Sequence, residues 1–156
     1  MPFKNYGLDW KWHPSLKTMG MWGQKRGAQP TNFARQLGIY VLQRDDKFVY
    51  VGKSSFGPTA GMLGRISSHT YDDKKGKWDS FSWFGVHPVG VSGHLEPVPA
   101  ITMDVGPLIA DIETILIYLL DLKLNTASGK HKHMLEYMQV NVQTALVARR
   151  KRAHAP

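Results

Sequence analysis

Two short runs rich in β-branched and aromatic residues, 37–43 and 48–53, stand on either side of the polar quartet Arg44-Asp45-Asp46-Lys47. Such runs, with only turn-forming side chains between them, have a simple solution in an antiparallel hairpin. The hairpin constrains the rest of the chain, because its open edges need a further strand and its apolar side chains need a covering layer. Both can be read downstream. Residues 59–70, after the Gly57-Pro58 break, suit a short helix in spite of Gly61 and Gly64. Residues 78–86 alternate as a strand does, with aromatic side chains on both faces. Residues 87–107 hold four prolines among glycines and valines and favour an irregular excursion or an added edge hairpin. The span 108–124 reads as the main buried helix, and 130–143 as another, since Met134, Leu135, Met138 and Val142 recur at helical spacing. The expectation is an α+β layer sandwich, a central, mostly antiparallel three-stranded sheet flanked by helices.

A length of 156 residues suits one hydrophobic core with appendages. The division expected is a basic, Trp-rich N-terminal extension at 1–36, a central domain at 37–145 with an insertion at 87–107, and a basic C-terminal tail at 146–156. Zero cysteines exclude a disulfide framework, a thiolate zinc site, an iron–sulfur cluster and a cysteine nucleophile. Any metal must therefore take oxygen or histidine ligands. The formal charge of +8 points to a polyanion, nucleic acid first. It is unevenly placed. Residues 1–36 carry six basic side chains against Asp9, the tail adds Arg149, Arg150, Lys151 and Arg152, and 37–148 sum to −1. The ends are the grip, and chemistry is to be sought in the middle. Asp111, Glu113, Asp121 and Lys123 interrupt the longest apolar stretch, which excludes a transmembrane helix there, and the N-terminus lacks a secretory pattern, so a cytoplasmic protein is expected.

Gly38-Ile39-Tyr40 on the first run and Tyr50-Val51-Gly52-Lys53 on the second resemble the paired signature strands of the GIY-YIG nuclease superfamily. The resemblance implies, in order, an Arg on the first helix, a His or Tyr one turn later, a Glu inside the long helix and an Asn just beyond it; the chain supplies Arg65, His69, Glu113 and Asn125. It extends over about residues 37–126 and includes Lys53 as a further site member. Nine residues separate the two tyrosines, slightly fewer than is usual in that family, and Val51 stands where Ile is usual. What the resemblance implies is a GIY-YIG-like fold and a divalent-metal-dependent endonuclease acting on DNA.

Phosphodiester hydrolysis needs a water in line, a group to take its proton, cationic stabilisation at phosphorus and help for the leaving oxygen. Glu113 falls on the helix flank of Ile109, Ile117 and Leu120, where a carboxylate needs a partner or a metal; it would hold one Mg²⁺ or Mn²⁺ ion per active site. Arg65 would bind the scissile phosphate through its forked guanidinium, with His69 one turn on along the same helix face. The general base is either Tyr40, as the resemblance implies, or His69, whose ordinary pKa already lies near neutrality. Tyr50 would orient water or a neighbour, Asn125 would tether the site loops, and Lys53, Arg65, Arg149, Arg150, Lys151 and Arg152 would contact nucleic acid. His131 and His133 read as non-ligands, and His87, His94 and Glu96 as a solvated loop. No Walker loop, nucleophile elbow or dinucleotide fingerprint is present.

Two other readings stay open: a catalytically inert nucleic-acid-binding module, and a nuclease subunit that forms a homo-oligomer or docks on a larger complex through its N-terminal extension. The setting expected for a small enzyme of this kind is restriction-like, antiviral (phage) defence or mobile-element associated.

Overall fold

Asp45 and Asp46 both adopt left-handed backbone, φ 50° and 59°, and close the hairpin with a two-residue turn of the kind that matches strand twist. The computed structural model describes residues 3–54, 61–97, 112, 115 and 135–153, with side chains as far as 148. Its elements are β1 (Asn5–Lys11), α1 (Leu16–Met19), β2 (Trp22–Gln24), β3 (Thr31–Asn32), β4 (Gly38–Arg44), β5 (Lys47–Lys53), α2 (Met62–Ser68), β6 (Ser80–Gly85), β7 (Leu135–Glu136), β8 (Met138–Gln139) and α3 (Val142–Ala153). The class is α+β, with a mostly antiparallel main sheet.

The expected hairpin and third strand are present as β5-β4-β6, with Tyr40 paired to Gly52 on one side and to Trp83 on the other. The sheet is nevertheless five-stranded, not three-stranded, in the order β5-β4-β6-β1-β7. Residues 1–36 are accordingly no mere extension, because β1 pairs along β6 and Trp10 lies in the core, 1% exposed. A bulge hides this strand from a period-two reading: Gly7 opposes Trp83, but Trp10, not Asp9, opposes Phe81, and Asp9 takes φ 50° to absorb the extra residue. Gly7 also permits the packing above it, since a Cβ there would lie 2.5 Å from the indole nitrogens of both Trp10 and Trp83.

The helix expected at 130–143 is corrected too. Residues 130–134 lie outside the described residues, but 135–139 form β7, parallel to β1, and β8, which joins β2 and β3 in a small second sheet. Leu135 and Met138, counted as one face of a helix, are exposed, whereas Tyr137 between them is buried and its backbone N–H donates to the Tyr6 carbonyl at 2.9 Å. The ladder groups offered by β1 and β2 outweigh local helical spacing. Helix begins only after Asn141, whose side-chain oxygen accepts the Gln143 N–H at 2.8 Å as a cap. It then runs to Ala153, so 146–153 of the expected basic tail is helical. Its last turns carry Arg149, Arg150, Lys151 and Arg152, at the end where the helix dipole favours cations.

Each face of the main sheet has its own core. One packs Tyr40, Leu42, Phe81, Trp83 and Trp10 under Met62, Leu63 and Ile66 of α2; the other packs Tyr6 and Phe84 with Phe3 and Ile115. Ile112 and Ile115, the described residues of the expected main helix, are helical. Of the excursion, 87–97 form a small loop closed by a Val89–Leu95 bridge, and the rest lies outside the described residues. Among the described residues no helix is long and apolar enough to cross a membrane.

Candidate active site

The second position of β4 from Ile39 on turns inward, so Tyr40 points from the centre of the sheet towards α2 and is fully buried. Gly52 sits opposite it, and a side chain there would overlap the Tyr40 hydroxyl; glycine is required by close approach. The helix α2 ends at His69, whose N–H returns to the Ile66 carbonyl at 3.1 Å, and Trp78 Nε1 donates to the His69 carbonyl at 3.3 Å. These ties fix the imidazole over the sheet with 2% of its surface exposed.

The strand and the helix end meet side chain to side chain. Tyr40 Oη lies 2.7 Å from His69 Nε2, and His69 Nδ1 lies 2.6 Å from Asp72 Oδ2. Tyr50, half-buried on β5, packs T-shaped with the imidazole at 4.9 Å between centres, and Lys74 Nζ stands 4.7 Å from the centre of the Tyr50 ring. Burial, reinforced by the neighbouring Tyr50, pushes the Tyr40 phenol up to about 12, against the opposing charge and hydrogen bond of Arg65. Burial also acts to raise Asp72, but the Lys74 backbone N–H and the His69 ring outweigh it and hold the carboxyl below its ordinary value.

Of the residues expected in the site, Tyr40, Tyr50, Arg65 and His69 come together. Lys53 is exposed and pairs with Ile39, which by strand alternation places it on the face away from Tyr40. Glu113 and Asn125 lie outside the described residues, and the side chains of Arg149, Arg150, Lys151 and Arg152 are likewise not described. Asp72 and Lys74 were missed by sequence reasoning. A signal for Asp72 exists, because it stands three residues after His69, close enough along the chain to reach its ring.

Among the described residues no group of three His, Asp or Glu side chains is placed to hold a metal ion. Asp72 is already shared between the imidazole and Lys74, whose ammonium is 3.6 Å away. The cluster can move a proton: it joins a neutral buried phenol to an imidazole backed by a carboxylate, with the exposed cation of Arg65 beside the phenol. No family model, curated protein or solved structure matches the chain.

Proposed function

We propose that the chain is an endonuclease of GIY-YIG type that hydrolyses DNA phosphodiester bonds with the help of a divalent metal ion. The observation that carries this reading is the 2.7 Å contact between Tyr40 and His69, 29 residues apart in sequence, with Arg65 acting on the same hydroxyl. The order β5-β4-β6, with the two signature strands paired through Tyr40 and Gly52, supports it.

Tyr40 alone is too weak an acid to ionise near neutrality and so too reluctant to act as a preformed base. The pair offers a way past the choice between Tyr40 and His69. The attacking water gives its proton to the Tyr40 oxygen as the Tyr40 proton passes to His69 Nε2, and the water oxygen bonds to phosphorus while the bond to the leaving oxygen breaks. Both groups are closed to solvent, so a local opening beside the exposed Arg65 must admit the water to the phenol. Arg65 then neutralises the charge on the equatorial oxygens. Glu113 would hold the Mg²⁺ or Mn²⁺ ion, whose charge would stabilise the departing oxygen.

Plasmid and single-stranded DNA incubated with the protein and Mg²⁺ should be cut, and Arg65→Ala and Glu113→Ala should each lower the rate at least ~10²-fold. Cleavage that survives both substitutions sinks the reading. Salt-sensitive binding without turnover by the unaltered chain would favour an inert nucleic-acid-binding module, gripping through its basic ends.

A further inference from the structure

Asp72 has no part in the signature residues, yet it is bonded to the buried imidazole more closely than any other side chain. Both of its oxygens are committed. Oδ1 accepts the Lys74 backbone N–H at 2.8 Å, and this aims Oδ2 at His69 Nδ1, 2.6 Å away. Around the imidazole stand Tyr40 at Nε2, the ring of Tyr50, and Asp72, with Lys74 and Arg65 beyond them.

A neutral imidazole carries one proton and has two places to put it. With the proton on Nε2, the ring would donate to the Tyr40 oxygen, and the Nδ1 lone pair would face a carboxylate lone pair at 2.6 Å. With the proton on Nδ1, that contact becomes a charge-assisted hydrogen bond, and Nε2 is left to accept from the Tyr40 hydroxyl. The lower-energy arrangement is also the one in which His69 can take a proton. We propose that Asp72 is a positioning residue that holds His69 in the Nδ1–H form, so that Nε2 is the acceptor for the Tyr40 proton, and that stabilises the imidazolium once the proton has moved. The cost of losing such a partner has a precedent in catalytic triads, where amidating the orienting carboxylate leaves the geometry intact and presents the wrong tautomer.

The catalytic part of this inference rests on the nuclease reading, but the tautomer does not, and the test keeps them apart. Long-range proton–nitrogen correlation spectra of the full chain, with His69 assigned by its loss in His69→Gln, read the tautomer directly at pH 7 to 8. The expected result is Nδ1–H in the unaltered protein and a shift towards Nε2–H in the nearly isosteric Asp72→Asn. Finding Nε2–H in the unaltered protein, or an unchanged Nδ1–H in Asp72→Asn, overturns the proposal. On DNA with Mg²⁺, Asp72→Asn should lower kcat by ~10²- to 10⁴-fold with little change in KM, and Asp72→Glu should recover part of it. A normal kcat in Asp72→Asn overturns it as well. The expected tautomer shift in a protein that cuts no DNA upholds Asp72 as the orienting group and refutes only the nuclease reading.

Discussion

On the side of the sheet that faces α2, Trp10, Phe33 and Trp83 pack ring to ring towards β1, and Tyr40, Tyr50 and His69 do the same towards β5, yet the two aromatic groups have different consequences. The Trp83 and Phe33 rings lie 4.6 Å apart and those of Trp83 and Trp10 5.3 Å apart, with one polar outlet, the hydrogen bond from Trp10 Nε1 to the Tyr137 carbonyl. The Tyr40 group has similar spacings but carries protons that can move and a carboxylate and two cations at its border. Ring packing is indifferent to which of these it builds. What separates a scaffold from a site is whether the buried rings bear groups that titrate, and whether those groups are partnered.

The sharpest way to break this division is to truncate a ring on the β1 side. Trp83→Ala should lower the unfolding free energy by about 3–5 kcal/mol, measured by urea denaturation, with any loss of cleavage following the loss of folded protein. Arg65→Ala should do the reverse, leaving stability within about 0.5 kcal/mol because the side chain is exposed, while cleavage collapses. If stability and activity moved together in both variants, the two ends of the face would not be distinct. Tyr40 offers a finer probe. Its phenol is raised from 10.0 to about 12, so the unfolded chain loses this proton first, and unfolding free energy should fall as pH rises from about 10 to 12, by at most about 3 kcal/mol. Tyr40→Phe should reduce that slope and remove a phenol that ionises near pH 12 in an ultraviolet titration. The smallest effect lies outside both groups: Asp46→Gly, at φ 59°, should stabilise the hairpin turn by less than about 1 kcal/mol without touching cleavage.

The parts of this fold that were legible are those where local pattern and tertiary demand agree. The β4–β5 hairpin has runs of β-branched and aromatic residues and a turn of residues that tolerate left-handed backbone, and its partner β6 carries aromatic side chains on both faces. Tyr40, Tyr50, Arg65 and His69, grouped in sequence by a resemblance and by the helical spacing of Arg65 and His69, do lie together. β1 escaped because a bulge at Asp9 shifts its alternation by one, and β7 and β8 escaped because Leu135 and Met138 sit at a helical interval while facing solvent. Neither can be read without knowing which strands lack a neighbour. Asp72 is an intermediate case: its spacing from His69 was visible, but its use depends on the Lys74 N–H turning the carboxylate towards the ring.

The bond between Trp10 and Tyr137 spans 127 residues, and Leu135 N–H donates to the Lys4 carbonyl. Translation therefore delivers the two parts of the sheet at different times. The strands that frame Tyr40, His69 and Asp72 pair with one another within residues 38–85 and with β1 before them, whereas the other edge of β1 waits for β7 until some fifty further residues have left the ribosome. A nascent chain would have the Tyr40–His69–Asp72 cluster before β7, with an unpaired edge exposed meanwhile, and that interval is when this protein is most open to misassociation or to a chaperone.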